Sequence, residues 1–453
     1  MQQVNDLLYQ LNDKPSFGKS LTAALQHVMA SFVGIITPTL ILGAALGLGP
    51  EVPYLISMAL LVSGIATFIQ VRTIGPLGCG LIAVQGTSFA FISALLVAGT
   101  MVKERGGSHE DILAMILGIS FWGALIEIIL SRFIDKIRRI ITPLTTGIVI
   151  TTIGLSLIKV GMTDLAGGFG ASNFGSTQNL SIGGLVLCVI IVLNSSRSHW
   201  LRLAAIFIGM IAGTILAWIY GMVDFSHLKE LPLITFPQPL KYGFSFDIAV
   251  FVPVAMVYFL TAIETSGDLT ANSLFCGLPI KGPAYFKRIK GGILADGVNS
   301  MLAAVMNTFP NTTFGQNNAV IQMTGVASRH VGIFVAVILM ILGLFPVIGG
   351  ILQAIPKPVL GGATLVMFAT VAVAGLRILG NEPMDRRNRL IIATSLGLGI
   401  GTMMVPEITT QMPVWCQYIF ASAVSTAGFC AIILSLVLPQ PTQEELSAYV
   451  TES

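Results

Sequence analysis

The chain has 453 residues, 54% of them hydrophobic and only 10% charged, with a mean hydropathy of +0.85 and a formal net charge of +3. Soluble globular proteins carry roughly 25% charged residues, so this composition excludes a soluble multidomain enzyme, a disordered chain and an ordinary nucleic-acid binder. A polytopic, all-α membrane protein remains, and the 48 Gly and 21 Pro fit it, because membrane helices tolerate both.

Residues 1–20 contain Asp6, Asp13, Lys14 and Lys19 and show no short apolar core followed by a small-residue cleavage site. They read as a tail rather than a cleaved signal. A bilayer core needs about 20 apolar residues per helix. On that basis the first half holds spans at 21–45, 52–71, 76–98, 112–131, 140–160, 180–194 and 203–222. A polar connection, 223–245, follows. The second half holds 246–271, 291–306, 311–328, 331–352, 357–377, 390–405 and 414–438, and leaves 439–453 as a second tail. The expectation is fourteen transmembrane segments, seven on each side of the connection.

The basic residues set the orientation, because Lys and Arg favour the cytoplasmic side. With the N-terminus inside, eighteen of the 24 fall in inside segments, among them Arg72, Arg132, Lys287, Arg288, Lys290, Arg329 and Arg386. Lys103, Arg105, Lys159, Lys229, Lys241 and Lys357 fall outside. Both termini are then cytoplasmic and 223–245 is extracellular.

Seven is odd, so two halves of seven spans run in opposite directions. The sequence carries an echo of this. Thr87-Ser88-Phe89-Ala90 in the third span resembles Thr312-Thr313-Phe314-Gly315 in the tenth, and Pro143-x-x-x-Gly147 resembles Pro358-x-x-x-Gly362. Inverted repeats with discontinuous helices at mid-membrane are a transporter signature. The third span is crowded with Gly75, Pro76, Gly78, Gly80 and Gly86. The tenth opens on the uncharged but polar run Asn307–Asn318. Such backbone needs partners from protein or a water-filled cavity, or else lies in a loop.

Acids inside spans are costly and usually functional. Glu264 and Asp268 lie four residues apart, on one helix face, an arrangement that suits a proton carrier. Asp296 is a third, and it is equally suited to bridging helices. Glu127 is expected to pair with the cluster around Arg132, and His27 to pack in the first span. The five cysteines are scattered, with no C-x-x-C pair, so neither a disulfide framework nor a zinc site is expected. No Walker loop, G-x-S-x-G or H-E-x-x-H motif occurs, so no ATP site, metal or other cofactor is expected, and no enzyme. The amides of Gln316, Asn317 and Asn318 match the N–H and C=O edges of a heterocycle. Phe89 or Phe314 offers an aromatic face. Together with Glu264 these residues suit a planar, polar, largely neutral solute.

At Gln316-Asn-Asn-Ala-Val-Ile-Gln-Met-Thr-Gly325 the chain resembles the signature of the nucleobase–ascorbate, or nucleobase–cation symporter-2, transporters, and it looks similar to their bacterial xanthine permeases. Gly154–Gly161, Lys290–Gly297 and Gln322–Arg329 extend the resemblance, which runs from Leu25-Gln-His27 to the last span. It implies a core domain from 21–131 and 246–352, a gate domain from 132–222 and 353–438, and short strands in spans 3 and 10. It also implies a homodimer in the cytoplasmic membrane and elevator-type proton symport of xanthine, driven by the proton gradient. In the family, the residues at Glu264 and Gln316 hydrogen-bond the base, and the aromatic at Phe89 lines the site. Ser88, Gly315, Asn317, Asn318 and Ala319 stand in the same motifs. Asp268 and Asp296 match acids that couple or organise the site, and His27 matches a histidine that tunes it. The signature has Gly where this chain has Ala319. Some xanthine-selective members carry Asn where this chain has Ser88, and the smaller side chain leaves room for uric acid.

Overall fold

The computed structural model describes residues 7–137, 142–168, 171–224, 228, 231–280, 282–409, 411–413, 420 and 422–439. Within them, the side chains of residues 135–137, 199, 203, 316, 319, 322, 323 and 406 lie outside the description. The two expected tails, apart from 7–20 and 439, and the start of the expected last span fall outside the described residues.

The chain is mostly helical. The first half runs α1 (Phe17–Leu46), α2 (Val52–Arg72), β1 (Gln85–Thr87), α3 (Ile92–Glu104), α4 (His109–Ile137), α5 (Pro143–Leu165), α6 (Thr177–Asn194) and α7 (His199–Ile219). The second runs α8 (Ile248–Phe275), α9 (Pro283–Val305), β2 (Asn311–Thr313), α10 (Gln316–Thr324), α11 (Arg329–Gly343), α12 (Pro346–Gln353), α13 (Lys357–Gly380), α14 (Arg386–Met404) and α15 (Ala423–Val437). Among the described residues seven helical stretches are individually long and apolar enough to cross a membrane, or eight if the bent pair α11 and α12 forms one span. This is a multi-pass membrane protein. Several other segments fall short of the single-helix criterion for visible reasons. α3 and α10 are short, with 13 and 9 residues. α9 carries Lys287, Arg288 and Lys290, and α14 opens on Arg386, Arg387 and Arg389.

Local sequence explains the breaks. Pro143 and Pro283 sit in the first turns of α5 and α9, where the missing N–H costs nothing. Pro346 cannot continue α11, and the chain turns by 76° into α12. α1 ends on Gly47 in the left-handed conformation, whose N–H returns to Gly43 O.

Close packing follows the small residues. Gly147, Gly154 and Gly161 recur every seven positions along α5 and face α13; a Cβ on Gly154 would collide with the Ala372 backbone, and one on Gly375 with the Thr151 backbone. Membrane helices have no hydrophobic drive toward each other, so such close backbone approach is what holds them. α5 packs along α13 and α15, and α6 along α7. Separately, α2 packs along α11, and α4 along α9 and α8.

The two segments expected to be discontinuous form one antiparallel ribbon. Gln85 pairs with Thr313, Gly86 with Thr312 and Thr87 with Asn311. The offset that lays Thr87 on Thr312 carries Gln85 to Pro310 and Thr313 to Ser88. Those two residues are themselves joined, Ser88 N–H donating to Pro310 O at 2.9 Å. The ribbon therefore maps onto itself when its strands are exchanged, as a local two-fold axis requires. The outer N–H groups of this ribbon find side chains instead of water: Gln85 N–H donates to Thr67 Oγ1 (2.9 Å), Asn311 N–H to Ser300 Oγ (3.1 Å) and Thr313 N–H to Asp296 Oδ2 (3.1 Å). Irregular backbone at membrane depth needs such partners.

Candidate functional site

Asp296 organises the centre. It is fully buried on α9. Its carboxylate accepts from Gln70 Nε2 of α2 (2.7 Å), Thr265 Oγ1 of α8 (2.6 Å), and both the N–H and the Oγ1 of Thr313 on β2 (3.1 Å each). One carboxylate thus ties two helices and a strand to its own helix. Buried charge is retained only with such satisfaction. Gln70 extends the network: Nε2 also donates to Gly292 O (2.9 Å), and Oε1 accepts from Cys79 N–H (3.0 Å). Gln85 Nε2 donates to Thr313 Oγ1 at 2.8 Å.

The N-terminal end of α10 points at α8. Gly315 precedes the helix, and a Cβ there would stand 2.7 Å from Asp268 Oδ1. The carboxylate therefore lies against bare backbone at the positive end of a helix. Asn318 Nδ2 donates to Asp268 O at 3.1 Å. Asn317 is buried, with Oδ1 2.6 Å from His27 Nδ1 of α1 and Nδ2 donating to Ile82 O at 2.6 Å. Gln316 and Ala319 occupy the first turn of α10, and their side chains lie outside the described residues.

Glu264 and Asp268, both half-buried, line a cavity of about 350 Å³ between α8 and the facing ends of α5 and α13, with Pro143, Thr146, Ile150 and Ile378 on the opposite wall. That lies within the usual size range of small-molecule sites. No Lys, Arg or His is among its described lining residues. Phe89 does not line it. Its ring meets Phe368 of α13 edge-on at 5.6 Å between centroids. Ser88 is buried beside it. Phe314 is not a free aromatic face, because its ring is buried between Gly34 and Gly86.

The structure thus places Asp268, Gly315 and Asn318 together, His27 with Asn317, and Glu264 in the same cavity as Asp268. Glu127 departs from expectation. It is 1% exposed, and Oε1 accepts from Thr261 Oγ1 at 3.3 Å, whereas the Arg132 side chain is exposed. Burial on α4 turns the carboxylate inward, away from the helix end where Arg132 stands. Sequence reading missed Gln70, Thr265, Thr313 and Phe368. Gln70 offered a signal, an amide inside an apolar span. The threonines offered none, since threonine is common in any membrane helix.

Among the described residues, no group of three or more His, Cys, Asp or Glu side chains is placed to hold a metal. Residues 18–408 match the family model described as the permease family. Xanthine permease XanP of Escherichia coli (strain K12) is 46% identical over 446 residues, covering 97% of this chain and 96% of that one. The chain belongs to the nucleobase–cation symporter-2 permeases. Xanthine permease XanQ of Escherichia coli (strain K12) is also 46% identical, over 445 residues, with the same coverage of both chains. The xanthine permease of Bacillus subtilis (strain 168) is 32% identical over 430 residues, 93% of this chain and 94% of that one. Among solved structures, the transmembrane domain of a cyanobacterium bicarbonate transporter, BicA, superposes with a TM-score of 0.59 at 14% identity, covering 91% of this permease and all of that domain. The murine anion transporter Slc26a9 in the inward-facing state superposes with a TM-score of 0.61 at 12% identity, covering 96% of this permease and 70% of that chain. These two establish a shared fold, one built from inverted repeats.

Proposed function

We propose that this permease takes up xanthine by proton symport across the cytoplasmic membrane, with both termini cytoplasmic. The observation that carries the site is that Glu264 and Asp268 line one cavity, with no basic residue among its described lining, and that Asp268 lies against Gly315 at the N-terminal end of α10. Glu264 accepts from ring N–H groups of the base. The Gln316 amide pairs with a neighbouring edge, Gly315 and Asn318 hold the helix start against α8, and Asn317 ties it to α1 and to Ile82. Ser88 and Phe89 belong to the substrate site when it is loaded, whereas here Phe89 packs on Phe368 outside the cavity. Asp268 and Asp296 support coupling and site order, and His27 acts through Asn317. Ala319 stands where the family signature has glycine, and the added methyl bears on affinity and base choice.

In this reading fourteen segments form two inverted sevens. α1–α4 and α8–α12 make a core that carries the substrate. α5–α7 and α13–α15 make a gate against which the core slides in an elevator motion, in a homodimer. The separate packing of α2 with α11 and α4 with α9, and of α5 with α13 and α15, supports this division. The resemblance to 46%-identical xanthine permeases supports the substrate. A range that includes uric acid is a second reading, favoured by the short side chain of Ser88 immediately before Phe89. Anion exchange is disfavoured: the neighbours named for bicarbonate and anions share only the fold, and the cavity here presents two carboxylates.

The test is uptake of labelled xanthine into permease-deficient bacteria, with a competition panel of purines and pyrimidines at two pH values. Uptake abolished by a protonophore, and by Glu264→Gln with protein still in the membrane, is expected. Uptake indifferent to the protonophore overturns the coupling; absence of any purine uptake overturns the substrate.

A further inference from the structure

A second concavity lies apart from the one that holds Glu264. It encloses about 690 Å³ and shares no lining residue with that site. Five cations converge on it: Arg132 from α4, Lys287, Arg288 and Lys290 from α9, and Arg329 from the start of α11. No Asp or Glu is among its described lining residues. Two of the guanidinium groups are steadied by neutral acceptors. Arg329 Nε donates to Gly80 O (2.5 Å), and Arg288 Nη1 donates to Ser273 Oγ (3.2 Å). Each guanidinium has five N–H donors, so both keep others for a ligand.

α9, 23 residues long, also begins at the cavity. Pro283 and Ala284, its first two residues, line the mouth, and Gly282 before them supplies no side-chain cap. The positive end of the helix thus adds to the five side chains. A bias of Lys and Arg toward one membrane face explains their number at this end of the bundle. It does not explain their convergence from three helices on one hollow whose described lining residues include no carboxylate.

We propose that this cavity binds a phosphate group, either an anionic lipid headgroup or a soluble phosphate. A tetrahedral anion with several oxygens can engage donors arriving from different helices at once. Basic pockets between helices on the cytoplasmic side of membrane proteins bind such headgroups. The site lies outside the substrate cavity, so the proposal does not depend on what the permease transports.

The full-length permease, purified in detergent, tests this by its melting temperature. One arm titrates inorganic phosphate against sodium chloride of matched ionic strength. The other titrates phosphatidylglycerol in mixed micelles against phosphatidylcholine. The expected result is stabilisation by at least one phosphate probe beyond its control, with the midpoint moved roughly tenfold higher in Arg132→Gln/Lys287→Gln, as the loss of charge-assisted hydrogen bonds requires. A shift with phosphatidylglycerol alone identifies the lipid; one with inorganic phosphate identifies a soluble ligand. No shift beyond the controls, or an unchanged midpoint in the variant, overturns the proposal. Lys287→Gln alone, at an exposed position, keeps the test open if the double variant does not fold.

Discussion

His27 and Asn317 stand 290 positions apart in the sequence and 2.6 Å apart in the fold. Asn317 Nδ2 donates to Ile82 O, so Oδ1 is the accepting atom and the hydrogen-bond network assigns the proton of His27 to Nδ1. α1 thereby holds the first turn of α10, and α10 holds the segment that leads into β1.

The pair predicts an order among substitutions at position 27. Asn can offer an amide donor near the place of Nδ1; Leu cannot. His27→Leu leaves the buried Asn317 oxygen unpaired, at a cost of about 1–3 kcal/mol. Initial uptake rates, normalised to protein in the membrane, are expected to fall in His27→Leu and to be largely retained in His27→Asn. Equal rates in the two variants would refute the positioning role.

Asp296 gives a sharper test. Its two oxygens accept from Gln70, Thr265 and Thr313. Asparagine replaces one of those acceptors by a donor, which then faces the donors of Gln70 or Thr313. Asp296→Asn is expected to lower stability by about 3 kcal/mol, the scale of a lost hydrogen bond to a charged group, and to abolish transport. Gln70→Leu should reproduce part of the loss. The checks are melting temperature in detergent and uptake at matched abundance.

Gly315 tests the contact between α10 and α8. A Cβ at 2.7 Å from Asp268 Oδ1 is too close, so Gly315→Ala pushes the helix end and the carboxylate apart. Misplacement of binding groups by an ångström costs up to about 100-fold in rate. Uptake kinetics should show a raised KM with near-normal membrane abundance. An unchanged KM would remove Asp268 and Gly315 from the site.

The glycine face of α5 predicts a purely structural defect. Gly154→Val drives a branched side chain into the Ala372 backbone, and overpacking of this kind costs typically 1–3 kcal/mol. Lower abundance and a lower melting temperature are expected, with competition by other bases unchanged in the protein that survives. Altered base preference in that variant would instead make α5 part of the substrate site.

The sequence by itself determined that this is a membrane protein, where its polar breaks fall and which acids are left inside apolar spans. Those properties are local: a 10% charge content and a Gly- and Pro-rich third span can be read without neighbours. The signature at Gln316–Gly325 also determined the family. Only the tertiary structure decided what the acids do to each other. Asp296 was legible as a buried acid, but its threonine partners come from α8 and β2, and nothing local marks a threonine that will meet a carboxylate. Glu127 illustrates the same limit. Its chain neighbour Arg132 suggested an ion pair, whereas the fold turned it inward onto Thr261. The pairing of Gln85 with Thr313 was invisible for the same reason. A three-residue strand has no pattern of its own, and it exists because its partner, brought from the other half of the chain, satisfies backbone groups that lipid cannot.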